Sequence, residues 1–381
     1  MKVLSIIGTR PEGIKLAPVI QELARRSADM DVRSVVCVTG QHRQLLDQVL
    51  DLFQIVPDID LDLMEVGQTP CQVSARALTA LEPVLESERP DWVLVQGDTT
   101  TAMTAAIAAY YLRIKIGHVE AGLRTGDRLN PFPEELHRVV ADHLSDVHFA
   151  PTPRARENLR REGISDSHIK VTGNTVIDAL LDIASRPIPA AASALVESGT
   201  RLILLTAHRR ESFGPKLRDI CIAVRDLARR HPDVRIVCPV HPNPNVCEPV
   251  HELLRDEARI RLLPPVDYTT LVHLMKHSYL ILTDSGGIQE EAPSLGVPVL
   301  VLRETTERPE AVEAGAARIV GTDPVRIGLE AERLLEHEAE RAAMGRVVSP
   351  FGDGRAAGRI VDVLLSGSCS EFQAGGGVGS G

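Results

Sequence analysis

Residues 279–302 read YLILTDSGGIQEEAPSLGVPVLVL, and this stretch decides the fold. Tyr279-Leu280-Ile281-Leu282 is a short apolar run, broken by Thr283-Asp284-Ser285-Gly286-Gly287. Ile288, Ala292 and Leu295 then recur at the spacing of one helix face. A second apolar run, from Val297 to Leu302, follows Gly296. The order is strand, tight turn, helix, strand, the repeating unit of a parallel α/β sheet. Adjacent glycines at such a turn let a ligand approach the backbone. The first N–H groups of a helix have no internal partner and lie at the positive end of its dipole, so a pyrophosphate fits there. Glu290 and Glu291, one turn on, can accept hydrogen bonds from ribose hydroxyls. The alternative is a helix capped by Ser285 with no ligand. Pro293 removes one helical hydrogen bond, which predicts a short or kinked helix.

The same alternation runs outward in both directions. Apolar runs predict strands at 3–7, 32–38, 91–96, 114–119 and 147–150 in the first half. The second half has them near 202–206, 234–238, 260–263, 279–282, 297–302 and 318–320. The segment 170–174 reads as the crossover between halves. Open α/β sheets bind ligands beyond the carboxyl ends of their strands, so the residues that follow each run are the candidates.

Thr9-Arg10-Pro11-Glu12 follows the first run and reads as a capping box, with Thr9 as N-cap and Glu12 reaching back. Arg10 and Lys15 flank that helix start, either as phosphate ligands or as solvated cations. Gly40-Gln41-His42-Arg43-Gln44 is a polar cluster suited to a ligand or a wet loop. Asp98 follows the third run and is either a ligand-facing carboxylate or an N-cap. Glu120 follows the fourth, and Glu134 opens a helix, where the dipole alone would stabilise its charge. In the second half, His208, Arg209 and Arg210 leave a buried strand together. His241 sits in a similar turn, and Arg308 suits a phosphate or carboxylate.

Composition narrows the class. The chain has 381 residues, enough for two or three domains, and a formal net charge of −10, which argues against a general nucleic-acid surface. None of the six cysteines has CxxC spacing; they read as reduced thiols of a cytosolic protein. No apolar run approaches the length of a membrane span, and the start of the chain reads as a first strand rather than a signal peptide. His143 and His148, beside Asp142 and Asp146, face different ways on a helix, so no metal is expected.

The motifs GTRPE, QGDTT, GHVEAGLRTG, PFPEE, GNTVIDALL, HRRES, PVHPNPN, LTDSGGIQEEAPSLG and TTERPEA stand in this order. Together they resemble the bacterial non-hydrolysing UDP-N-acetylglucosamine 2-epimerases, from residue 1 to about 365. The resemblance implies the GT-B type of α/β fold: two Rossmann-like doubly wound domains facing across a cleft. They would cover 1–170, with the catalytic carboxylates, and 171–352, which binds UDP. A C-terminal helix at 353–366 would pack back on the first domain, and 367–381 would be a disordered tail. It further implies interconversion of UDP-GlcNAc and UDP-ManNAc without metal or other cofactor, by a cytoplasmic homodimer that supplies ManNAc units to surface polysaccharide.

Carried over by motif, Asp98, Glu120, Glu134 and His208 match catalytic positions. Arg10, Lys15, Ser285, Gly286, Gly287, Glu291 and Arg308 match positions that bind the nucleotide sugar. Gln41, Gln44, Arg209 and His241 match polar groups where some members bind a second UDP-GlcNAc as activator. Val266 stands where related sequences carry glutamine, and Leu271 where they carry phenylalanine; both lie where uracil is expected, which leaves backbone groups to read the base. Other reactions on this fold are hydrolytic release of ManNAc, epimerisation of a 2,3-diacetamido sugar and glycosyl transfer. A nucleotide-sugar sensor without turnover is the alternative from another class.

Overall fold

The computed structural model describes residues 1–40, 43–65, 67–196 and 199–374. The chain forms two compact units, one of Met1–Ala179 with Phe351–Gly381 and one of Leu180–Pro350. Each is built on a parallel sheet interleaved with helices, the expected α/β class.

In the first unit the strands are β1 (Lys2–Ile7), β2 (Arg33–Val38), β3 (Ile59–Asp60), β4 (Trp92–Gln96), β5 (Lys115–Val119), β6 (Val147–Ala150) and β7 (Ile169–Val171). They pair in parallel in the order β3-β2-β1-β4-β5-β6-β7. Parallel strands covered by helices on both faces read as unbroken apolar runs. Accordingly Val3, Leu4, Ile6 and Ile7 are buried, as are Val93, Leu94 and Val95. The alanine-rich helix Thr100–Tyr111 is buried along most of its length, because small side chains let it lie close to the sheet and its neighbours.

The helix Ala356–Ser366 packs on the helix Arg10–Arg26. The Asp178 carboxylate fixes its start by accepting the N–H groups of Ala356 at 3.2 Å and Ala357 at 2.8 Å. Burial pushes that carboxyl up to about 6, against the pull of the two N–H donors. Residues 367–374, which the sequence would place in a loose tail, are held by contacts at least in part. Phe372 is buried, and its N–H donates to the Val171 carbonyl at 2.8 Å. Arg359 Nε also donates to the Ser370 carbonyl at 3.1 Å and Arg156 Nη1 to Glu371 Oε2 at 3.0 Å, so several contacts hold this segment.

The second unit contains β8 (Arg201–Thr206), β9 (Val234–Pro239), β10 (Ile260–Leu263), β11 (Leu280–Thr283), β12 (Val299–Val301) and β13 (Ala317–Ile319). Their order is β10-β9-β8-β11-β12-β13, again parallel. The core gathers Ile203, Leu205, Ile220, Val224, Ile236, Leu280, Leu282 and Leu300, all buried. In both sheets the order turns back beside the first strand, between β1 and β4 and between β8 and β11. Loops diverge at such a switch point, and a crevice opens beyond the strand ends.

Two strands differ from the sequence reading. Ile59–Asp60 and Ile169–Val171 are the edge strands of the first sheet, the second at a place read as a crossover. Both are too short to carry a periodic apolar signal. The units also divide at Ala179/Leu180 and Pro350/Phe351 rather than at 170/171 and 352/353.

Candidate active site

The first unit gathers its candidates on the carboxyl edge of β1, β4 and β5. Glu120 directly follows β5 and sits in the left-handed backbone region at φ 67°, where a non-glycine residue is rare. Its N–H donates to the Phe149 carbonyl at 3.1 Å. Its carboxylate accepts Lys15 Nζ at 2.7 Å on one oxygen and Asn174 Nδ2 at 3.0 Å on the other. Lys15, expected at a phosphate, is thus engaged with a carboxylate in this structure.

Asp98 follows β4, and the helix after it is capped by Thr99, whose side chain accepts the Ala102 N–H at 2.9 Å. Capping therefore does not account for the Asp98 carboxylate, which is ion-paired with Arg138. Arg138 and His137 belong to the helix Glu134–Leu144, and His137 Nδ1 lies 3.0 Å from the Asp98 carbonyl. The helix that carries Glu134 in its first turn is therefore docked on the Asp98 turn. Glu134 itself is half-buried.

The expected capping box at Thr9 takes another form. The Thr9 side chain makes no cap bond to the backbone. Instead Glu12 Oε2 accepts the Thr9 hydroxyl at 2.7 Å and the Gly8 N–H at 3.2 Å, while Oε1 accepts the Thr99 hydroxyl at 2.8 Å. Glu12 is fully buried, and desolvation pushes its carboxyl up to about 7 although these bonds pull it down. It links the turn that carries Arg10 to the turn that carries Asp98. Arg10 is half-buried at the first residue of its helix.

In the second unit the helix Gly286–Ser294 begins directly after β11 and stops one residue beyond Pro293, so it is short. Ser285 holds the N-cap position, yet its side chain makes no cap bond. Its N–H donates to Thr283 Oγ1 at 2.9 Å. Asp284 is fully buried and accepts the backbone N–H groups of His208 and Arg209, both at 2.9 Å through Oδ2. This one carboxylate ties the turn after β8 to the turn after β11. A Cβ built on Gly287 would meet nothing nearer than Glu291 Oε1 at 3.6 Å.

The His208 ring stacks on that of His241, with centroids 5.6 Å apart and planes 12° apart. Its side chain keeps 40% of its surface exposed. Desolvation by the surrounding atoms, with the charges of His241 and Arg209, still pushes it below the ordinary value, against the opposing pull of Asp284. Arg308 is ion-paired with Glu290, which is buried. The Tyr268 hydroxyl lies 3.5 Å from Glu291 Oε2. Leu271 is half-buried in the helix Tyr268–Lys276, one turn after its Asp267 cap. Gln41 lies outside the described residues, as does the side chain of Gln44.

Sequence reasoning missed Arg138, Asn174, Asp284 and a buried cluster of His118, Asp142 and Arg124. His148 Nε2 faces the Asp142 carbonyl at 2.7 Å, so this histidine serves the cluster's backbone. Motif membership was the available signal, since His118 and Arg124 stand inside GHVEAGLRTG and Asp284 inside LTDSGG.

A family model described as UDP-N-acetylglucosamine 2-epimerase matches residues 24–365. The UDP-N-acetylglucosamine 2-epimerase of Escherichia coli K12 is 52% identical over 372 residues, 96% of this chain and 98% of that protein. The Yersinia pestis enzyme of the same name is also 52% identical, over 96% of this chain and 98% of its own. Among solved structures, UDP-GlcNAc 2-epimerase from Neisseria meningitidis bound to UDP-GlcNAc superposes with a TM-score of 0.88 at 44% identity. That match covers 96% of this chain and 100% of the other.

Proposed function

The chain belongs to the UDP-N-acetylglucosamine 2-epimerase family, and from that premise we propose that it interconverts UDP-GlcNAc and UDP-ManNAc by eliminating and re-adding UDP through bound 2-acetamidoglucal. The observation that carries this reading is the trio Asp98, Glu120 and Glu134 in one unit, on or docked to one carboxyl edge of a parallel sheet.

The hydrogen on C2 is too weakly acidic to be removed while C1 is saturated. As the C1–O bond breaks, UDP takes its electron pair and positive charge develops on C1 and the ring oxygen. A carboxylate then accepts the C2 proton, and the C–H electrons become the C1–C2 double bond. Return of a proton to the opposite face of C2 and re-addition of a UDP oxygen to C1 complete the inversion. Exchange on both faces needs more than one acid–base group, and Asp98 and Glu134 are assigned that pair. Glu120, held by Lys15 and Asn174, supports the cationic carbon. A glycosyltransferase has no need of three such carboxylates.

The second unit takes the diphosphate. The N-terminus of the helix Gly286–Ser294, with Arg308, stabilises the charge of the leaving UDP. Glu291 takes the ribose, the Leu271 helix lies against the base, and His208 hydrogen-bonds or protonates the departing phosphate. The ligand carried by the Neisseria relative supports this choice of nucleotide sugar. The same reading makes the protein a cytoplasmic homodimer that feeds ManNAc units to bacterial surface polysaccharide. It places a second, activating UDP-GlcNAc against Gln41, Gln44, Arg209 and His241.

The test is incubation with UDP-GlcNAc in D2O, followed by proton, deuterium and phosphorus NMR. UDP-ManNAc carrying deuterium at C2, with little free UDP, is the expected result. Free ManNAc with stoichiometric UDP would replace the reading by hydrolysis. Inertness towards UDP-GlcNAc, with turnover of the 3-acetamido analogue, would replace the substrate.

A further inference from the structure

Beneath the proposed carboxylates lies a cluster of charges centred on two fully buried groups. His118, in β5, and Asp142, in the helix Glu134–Leu144, are both 0% exposed. His118 Nδ1 is 2.6 Å from Asp142 Oδ1, and His118 Nε2 is 2.8 Å from the Gly97 carbonyl oxygen. Asp142 Oδ2 accepts Arg124 Nη2 at 2.7 Å and the Gly122 N–H at 3.2 Å. Arg124 continues to Glu162, and its Nη1 donates to the Leu123 carbonyl at 2.8 Å.

The donor and acceptor inventory decides the protonation of this cluster. A carbonyl oxygen can only accept, so His118 Nε2 must carry a proton. Nδ1 faces a carboxylate whose other oxygen already takes two donors, one from a guanidinium. That environment favours the ionised carboxylate, and the proton of the short contact therefore sits on Nδ1. Burial alone would lower the histidine's affinity for its second proton, but the charge and bond of Asp142 and the Gly97 carbonyl more than reverse this. Burial alone would likewise raise Asp142, whereas His118 and Arg124 hold it at about 2. The charged groups facing His118 are Asp142, Arg124 and, more distantly, His148, whose own affinity for a proton is lowered first by burial.

We infer that His118 and Asp142 form a permanent buried imidazolium–carboxylate pair that positions both turns on which the unit's proposed catalytic carboxylates stand. The inference rests on the roles given above to Asp98 and Glu120. His118 holds the Gly97 carbonyl, and Asp98 is the next residue. The Gly97 N–H in turn donates to the Val119 carbonyl at 3.0 Å, so the turn is clamped from both sides. Asp142 holds the Gly122 N–H, two residues after Glu120, in a stretch that keeps Glu120 itself at φ 67°. A left-handed non-glycine residue persists only where its surroundings over-determine it. Neither member of the pair touches substrate in this scheme; both are positioning residues.

The test has two arms. In the unaltered protein labelled with 15N-histidine, His118 should show protons on both ring nitrogens, unchanged from about pH 6 to about pH 9, a range in which an ordinary histidine loses one. Its signals are assigned through the His118 backbone, so no variant needs to fold. A neutral His118 ring at pH 7.5, or one that titrates near 6.5 with ordinary histidines, would overturn the pair. In the second arm, His118→Gln is compared with wild type per UDP-binding site, so that unfolded protein does not count. A displaced turn should lower kcat on the order of 10²-fold with KM within about threefold. A folded, UDP-binding variant that keeps kcat within about twofold would also overturn it. If wild type itself fails to turn over UDP-GlcNAc, the functional reading fails, and the spectroscopic arm still decides the pair.

Discussion

The two units share a strand order and put their candidate residues at the same place in it, yet they build those places from different material. In the first, the groups that matter are side-chain carboxylates. Asp98 is ion-paired with Arg138, Glu120 with Lys15, and behind them stand the buried carboxyl of Glu12 and the paired Asp142 and His118. In the second, the central feature is backbone: a helix N-terminus that opens on Gly286-Gly287, with a buried Asp284 gathering two amide N–H groups from the neighbouring turn. Proton transfer requires groups that change charge, and such groups must be held in place and in a defined protonation state. Binding a diphosphate requires only donors, which a backbone supplies without titrating. In the proposed reading, one topology carries two tasks through the choice of side chain or main chain at its switch point.

The sharpest break of this division comes from Asp98→Asn and Glu134→Gln. Each should lower kcat for epimerisation by about 10²- to 10⁴-fold. UDP affinity by calorimetry should stay within about threefold, since the proposal assigns the diphosphate to the other unit. Unchanged turnover in both variants would end the assignment. Loss of UDP binding at equal fold would end the division of tasks.

A smaller effect probes the buried carboxyl of Glu12 behind the first edge. The folded carboxyl of Glu12 sits at about 7 against an ordinary 4.5, chiefly through burial. Between these values the native state holds more protons than the unfolded chain, so stability falls as pH rises through the window. The full loss is about 3 kcal/mol. Glu12→Gln removes that contribution. Urea unfolding of wild type and variant at a series of pH values should therefore diverge from pH 4.5 to 7, with the variant relatively more stable at the upper end. Parallel curves would mean that Glu12 is ionised in the native state across this range. Its three donors would then outweigh burial.

These same residues mark what could be read from the sequence. Buried strands such as β1, β4 and β11 were legible because both of their faces are covered and their residues are continuously apolar. The strand-end positions of Asp98, Glu120, His208 and the Gly-Gly turn were legible because each lies just after such a run. The supporting contacts were not. Glu12 meets Thr99, His118 meets Asp142, and Asp284 meets His208, across 87, 24 and 76 residues of sequence. The first and third depend on strand order, which places β1 beside β4 and β8 beside β11, and the second on how the helix Glu134–Leu144 packs on β5. A local motif cannot report this. Thr9 and Glu12 have the spacing of a capping box, but only the Glu12 half forms, because the Thr9 hydroxyl donates to Glu12 instead of accepting from the backbone.

Two glycines sharpen the comparison at the lowest cost to the fold. Gly122, in the first unit, has φ 85°, and a Cβ there would come within 2.3 Å of the Ala155 carbonyl oxygen. Packing and backbone conformation both demand that glycine. Gly287, in the second unit, has neither requirement: its Cβ would meet Glu291 Oε1 only at 3.6 Å, an ordinary contact. Glycine is also the poorer helix former, by about 0.5–1 kcal/mol against alanine in a helix interior. Packing therefore leaves Gly287 unexplained, and the proposed diphosphate at the helix N-terminus would account for it. Gly287→Ala should leave the unfolding midpoint unchanged or slightly raised while weakening UDP binding about tenfold, equivalent to 1.4 kcal/mol. Wild-type affinity in that variant would move the diphosphate off this helix, and with it the claim that the second unit binds through its backbone.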